Sequence, residues 1–193
     1  MSKIEIRKYQ EKDARELAAI YYNTIHRVNI SDYTKEQVDV WAPSSSLELT
    51  GWKKKWENLK PFVAVSNNQA IGFVELESNG HIDCFYCHHD WIGRGVGSAL
   101  MEAALVEAKF CKMVRLFAEV SITALPFFSR HEFNIIKEQT IVRNGVELNN
   151  FVMERFVDFE DAFDDMLLLL RKARLSDLGD IISLLHDDFL GKH

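Results

Sequence analysis

Asp90-Trp91-Ile92-Gly93-Arg94-Gly95-Val96-Gly97-Ser98 is the stretch of this sequence whose residue types point most directly to chemistry. Three glycines at alternate positions let the backbone approach a bound group with no Cβ in the way. The segment lies between an apolar, strand-like run (His81 to Cys87) and one with helical spacing (Leu100, Ala103, Ala104, Val106, Ala108). At such a junction the first N–H groups of the helix are unpaired and its dipole favours an anion. A pyrophosphate is the natural guest, and Arg94 adds a charge contact. The spacing is neither Gly-x-x-x-x-Gly-Lys-Ser/Thr nor Gly-x-Gly-x-x-Gly, and alternating βαβ units are lacking. A P-loop and a dinucleotide-binding fold are thereby excluded.

A second cluster, His81-x-x-Cys84-x-x-Cys87-His88-His89, has the Cys-x-x-Cys-His spacing of c-type haem attachment and enough ligands for zinc. Residues three apart on a strand face opposite sides, so Cys84 and Cys87 diverge. Only Cys111 remains as a further thiol. The cluster reads as strand core with two histidines at its polar end, and no metal is expected.

The elements that position these residues follow from periodicity. Lys3 to Lys8 alternates as a strand. Asp13 and Glu16 form a capping box for a helix carrying Leu17, Ile20, Tyr21 and Ile25. Thr34 and Gln37 box a second helix that ends at Trp41-Ala42-Pro43, and a third runs from Ser46 to about Asn58. Strands 62–65, 70–76 and 81–87, joined at Asn67-Asn68 and Asn79-Gly80, form a meander. After the helix from Gly95 to Phe110 come a strand (Met113 to Val120), a short helix (Ile122 to His131) and a hairpin turning at Asn144-Gly145. The order βααα-βββ-α-β-α-ββ predicts an α+β fold with a mostly antiparallel sheet. One parallel crossover is predicted, from the third meander strand to the next.

With its flanks, the glycine turn resembles the acetyl-CoA motif of the GNAT superfamily of N-acetyltransferases, Gln/Arg-x-x-Gly-x-Gly/Ala. Ile92 stands where that family has Gln or Arg. Ala124-x-x-Phe127-Phe128-x-x-x-x-Phe133 resembles the family's A-x-x-F-Y-x-x-x-G-F segment, with Phe128 in place of Tyr and Glu132 in place of Gly. Ser121 stands near where an Asn often contacts the cofactor. The resemblance spans residues 3 to about 156. It implies a three-layer α/β/α acyl-CoA N-acyltransferase fold and acetyl-CoA as cosubstrate, held by Ile92, Gly93, Arg94, Gly95, Val96, Gly97 and Ser98. It further implies that the pantetheine arm lies where the fourth and fifth strands splay, at Phe85, Cys87, Ser121 and Phe128, and that a backbone N–H near Cys87 polarises the thioester. A Tyr at position 128 would protonate the leaving thiolate; Phe128 cannot.

Acetyl transfer to an amine requires a proton acceptor, and carboxylates on central strands suit it because desolvation raises their pKa. Asp83 and Glu119 are the candidates, on strands expected to neighbour one another; Glu75, Glu77 and His81 rank below them. The first two helices would grip the acceptor, where Tyr22, His26, Tyr33 and Trp41, with Tyr21, Asp32 and Trp52, suit a flat or apolar amine. The expected activity is acetyl transfer to a small-molecule or protein amine by direct attack in a ternary complex. A CoA-binding sensor without turnover is the alternative.

The chain has 193 residues, 23 basic and 29 acidic, and a net charge of −6. No nucleic-acid partner is expected from this balance. No apolar run reaches membrane-spanning length, no signal peptide is evident, and three cysteines are an odd count, so a cytoplasmic location is expected. The acetyltransferase-like domain covers 1–157. Residues 158–193 open with an acidic segment, and then Leu168 to Leu185 matches Ile4 to Tyr21 at an offset of 164. This segment resembles the opening strand and helix of a second such domain. It is expected to dock on the first domain or to join two copies as a homodimer.

Overall fold

Strand β4 (Ile82–Cys87) is the last of a meander that begins with β2 (Phe62–Ser66) and β3 (Gln69–Leu76), and β1 (Glu5–Lys8) pairs along the free edge of β2. All three pairings are antiparallel. A second antiparallel sheet has the order β5 (Arg115–Ser121), β7 (Val146–Phe156), β6 (Asn134–Arg143). This computed structural model describes residues 3–158. Met1–Val157 make one unit of the chain and Asp158–His193 another. The expectation of a restarted strand and helix beyond Asp158 lies outside the described residues.

The predicted element order is observed, with helices α1 (Ala14–Arg27), α2 (Lys35–Trp41), α3 (Leu49–Leu59), α4 (Val96–Phe110) and α5 (Leu125–Arg130). The α2 box forms as expected, Thr34 Oγ1 accepting from the Gln37 amide and the Gln37 side chain accepting from the Thr34 amide. The box expected for α1 does not. Asp13 Oδ2 instead accepts from the Gln10 amide at 2.8 Å, one turn earlier, and Glu16 reaches across to the Ala70 amide. The third helix starts later than expected because Ser44–Leu47 form a separate 3-10 turn.

The predicted parallel crossover is reduced to a single bridge, His81 opposite Phe117. There the Phe117 amide donates to the Gly80 carbonyl at 3.0 Å. A Cβ at Gly80 would lie 2.0 Å from the Arg115 carbonyl oxygen, and its φ is +87°, so only glycine permits this approach. Beyond the bridge the two strands part.

Alternation along the strands builds two cores, one on each face of the first sheet. Val63 and Phe73 turn toward Leu17, Ile25 and Trp56 of α1 and α3. Their neighbours Ala64 and Val74 turn toward Leu100 and Met101 of α4, joined by Leu116 and Met153 of the second sheet. Cys84 belongs to the first core, whereas Cys87 packs against the second, the divergence expected of a three-residue spacing. No helix among the described residues is long and apolar enough to cross a membrane.

Arg7 ties β1 to the start of α1 by a two-pronged pair with Asp13, at 2.7 and 2.8 Å, and only 4% of the Asp13 side chain is exposed. Burial raises the Asp13 pKa, but the bonds from Arg7 and Gln10 outweigh it and hold the carboxyl below its ordinary value. Such a group stabilises the fold above the ordinary carboxylate range, and the contribution is lost as pH falls through the folded-state value. Asp13→Asn is expected to cost about 2–3 kcal/mol at pH 7 in urea unfolding. The gap to wild type should close as the pH is lowered below 4.

Candidate functional site

A cleft of about 600 Å³ opens where β4 and β5 part. Hydrogen-bond parity shows which backbone groups face it. His88 donates to the Ile71 carbonyl, and Gly72, Phe73 and Val74 stand opposite Cys87, Tyr86 and Phe85. In an antiparallel ladder bonded and non-bonded pairs alternate, so the N–H and C=O groups of Phe85 and Cys87 point away from β3, toward the gap. The same count from Phe117 turns the backbone groups of Glu119 and Ser121 to the gap from the other side. Thr24 Oγ1 donates to the Cys87 carbonyl at 2.8 Å, leaving the Cys87 amide aimed into the cleft. The strand that supplies these amides carries one extra residue: Val74 faces Phe85 while Leu76 faces Ile82. Such a bulge, here between Ile82 and Phe85, bends the strand that carries it.

At one end of the cleft the chain from Trp91 to Gly95 winds into the start of α4. Gly93 and Gly95 have φ of +76° and +86°, and nothing lies within 4 Å of the place a Cβ would occupy at either. The loop therefore presents bare backbone to open space, beside the unpaired first amides of a 15-residue helix. These features fit a pyrophosphate. Ser98 lines the cleft, its Oγ 3.4 Å from Nε2 of His131. The Arg94 guanidinium lies over the Trp91 ring at 5.5 Å, outside the cleft lining, and the Val96 side chain is buried in the α4 core.

Asp83 and Glu119 both line the cleft. Their environments differ. Asp83 is bound by Lys55 of α3, which also holds the fully buried Glu75. Burial pushes the Asp83 pKa up, but the Lys55 hydrogen bond and charge prevail and hold it below its ordinary value. The expectation that desolvation raises Asp83 toward neutrality is therefore corrected: a cation the sequence did not bring to mind keeps it ionised. Burial raises Glu75 above the ordinary carboxylate value despite Lys55 and the Trp56 indole N–H. Among the described residues Glu119 has no Lys or Arg partner; its carboxylate meets Nε2 of His81 at 2.7 Å and is 43% exposed, so it edges the cleft. Burial pushes the Cys87 thiol up to about 12.

The expected acceptor residues divide. Trp41 lines the cleft. Tyr33 is buried, its hydroxyl accepting from the Ile122 amide at 2.9 Å and donating to the Asn149 carbonyl at 2.7 Å, so it ties the end of β5 to β7. His26 Nε2 bonds the Ala42 carbonyl at 2.8 Å, and Tyr22 packs on the His26 ring; neither lines the cleft. The two side chains pack on one another and on the end of α2. Sequence reasoning missed Thr24, Asn29, Tyr86 and Thr123, all of which line the cleft. Asn29 donates to Ser121 Oγ at 3.3 Å, and Thr123 Oγ1 is buried with no hydrogen-bond partner.

Residues 29–155 match the family model described as "Acetyltransferase (GNAT) domain". The Escherichia coli K12 protein "Uncharacterized N-acetyltransferase YafP" is 31% identical over 153 residues, covering 79% of this chain and 96% of its own. The chain belongs to the GNAT acetyltransferases. A GCN5-related N-acetyltransferase from Rhodopseudomonas palustris superposes with a TM-score of 0.75 at 28% identity, over 81% of this chain and 97% of that one. PaiA N-acetyltransferase from Thermoplasma acidophilum, solved in complex with coenzyme A, superposes with a TM-score of 0.62 at 17% identity, over 80% and 99% of the two chains.

Where this GNAT chain departs from the family's sequence pattern, local structure accounts for the change. Glu132 adopts the positive φ (64°) that the family's Gly supplies, and pairs with Arg155 at 2.8 Å. Phe128 is buried against Phe85 and Phe133, with no hydroxyl to offer. Tyr33→Phe is expected to cost about 2 kcal/mol in urea unfolding, because it removes two hydrogen bonds and strands the Ile122 amide. A role for Tyr33 confined to acceptor binding would leave the unfolding midpoint unchanged.

Proposed function

We propose that this GNAT chain transfers acetyl from acetyl-CoA to a primary amine by direct attack in a ternary complex. The observation that carries the reading is the meeting, in one cleft, of the bare backbone at Gly93 and Gly95 and the inward-facing amides of Phe85 and Cys87. The glycine loop and the start of α4 suit the pyrophosphate of CoA, and the unpaired edges of β4 and β5 suit the pantetheine amides. The Cys87 amide is placed to polarise the thioester carbonyl as it gains charge.

Glu119 is the proton acceptor in this reading, since Asp83 is committed to Lys55. The ammonium of the acceptor loses one proton to Glu119, the free amine attacks the carbonyl carbon, the C–S bond breaks, and the second proton shed by the nitrogen goes to the departing thiolate to give the free CoA thiol. A thiol held near 12 is no nucleophile at neutral pH, which favours direct transfer over an acyl-Cys87 intermediate. Trp41 and Tyr86 beside two carboxylates favour an amine on an apolar body. The alternative of a CoA-binding sensor is favoured by one feature, the buried Phe128 in the position of the usual acid.

Calorimetry with acetyl-CoA, together with thiol release across a panel of amines, tests both. Binding with turnover supports the transferase, and Glu119→Gln should then lower kcat on the order of 100-fold while leaving the acetyl-CoA Kd within about twofold. Binding with no turnover on any amine supports the sensor. Absence of binding contradicts both.

A further inference from the structure

His81 stands at the one bridge between the two sheets among the described residues, and each of its ring nitrogens faces a carboxylate. Nε2 lies 2.7 Å from Glu119 Oε2 and Nδ1 lies 3.2 Å from Glu77 Oε2. The ring stacks on Phe117 with centroids 4.9 Å apart, and 18% of the side chain is exposed. Two other charged groups lie near it. Asp83, further along β4, pairs with Lys55 and also feels the His81 charge. Arg115 lies over the Phe117 ring at 4.6 Å and pairs with Glu154 of β7.

A neutral imidazole donates from one nitrogen only, so one of the two carboxylates must then face a lone pair. The imidazolium donates to both. A proton on His81 Nε2 therefore sets a charged donor against Glu119 Oε2, and its loss removes that charge.

We infer that His81 is a positioning residue that sets the pH at which Glu119 accepts the acceptor's proton, with Glu77 supporting the ring from the side away from the cleft. The inference rests on the reading of Glu119 as the cleft base. With His81 protonated, Glu119 is held in an ion pair that opposes its protonation. With His81 neutral, the pair can bind one proton: an N–H bond of the ammonium breaks, the proton is taken up between Glu119 and Nε2, and the amine keeps the electron pair that attacks the thioester. Burial works to lower the His81 pKa, but the hydrogen bonds and charges of Glu119 and Glu77 outweigh it, so the ring titrates above its ordinary range. The acid limb of the rate is accordingly displaced upward from where a lone carboxylate would put it.

The test is an NMR titration of the His81 ring and the pH dependence of kcat/KM, with acetyl-CoA and the fastest amine of the panel. Both are measured on the full chain as wild type, His81→Gln, Glu77→Gln and Glu119→Gln, with thermal melting to confirm folding. The ring midpoint is expected to fall by about one pH unit in Glu119→Gln and by less in Glu77→Gln. His81→Gln should move the ascending limb down by about one unit or more while retaining at least roughly a tenth of the plateau rate. Glu77→Gln lies farther from the reacting atoms, should shift the limb the same way by less, and carries the test if His81→Gln does not fold. A limb that keeps its midpoint in these variants while the rate is merely scaled overturns the inference, as does a ring midpoint unmoved in Glu119→Gln. A wild-type rate in Glu119→Gln sinks the Glu119 reading instead.

Discussion

The parting of β4 and β5 beyond one bridge is the constraint on which the rest of this structure depends. A β-strand edge inside a protein leaves N–H and C=O groups that must find partners. Here two facing edges do not pair with each other over several residues, and helices lie on both sides of the gap. A ligand with its own amides and carbonyls can complete such edges, and a helix start at the mouth adds a site for anionic phosphate. Cofactor recognition in this account is thus mainly a property of backbone, and of the few residues that allow the backbone to open.

Those residues are identifiable. Gly80 lets the strands touch once, because any side chain there would strike the Arg115 carbonyl. The extra residue between Ile82 and Phe85 bends β4. Tyr33 and Asn29 hold the far end of β5 from the helical side, through Ile122, Asn149 and Ser121. The opening is set by specific residues at both ends.

Much of the fold was legible in the sequence because it is written in local signals. Asn67-Asn68 and Asn144-Gly145 mark hairpins, Thr34 and Gln37 mark a helix start, and alternate apolar positions mark the strands. The glycine loop before α4 was legible for the same reason, being nine consecutive residues. Long-range chemistry was not. Lys55 and Asp83 are 28 positions apart and meet only when α3 packs on the sheet, so the sign of the Asp83 shift was misjudged. Tyr22 on α1, Tyr33 in the turn before α2 and Trp41 at the end of α2 are the same residue types whether they pack or bind, and only burial distinguishes Tyr33 from Trp41. His81 was read as a lesser base, since nothing local places it between Glu77 and Glu119.

The central claim is that the unpaired edges of β4 and β5 are where acetyl-CoA binds. Amide hydrogen exchange with and without acetyl-CoA, resolved to single residues by NMR, addresses it most directly. The account predicts slowed exchange at Phe85, Cys87, Glu119 and Ser121, and at the Gly93–Ser98 loop, with the bonded β2–β3 ladder unaffected. Protection confined to other surfaces, with those strand-edge amides exchanging as before, would contradict it.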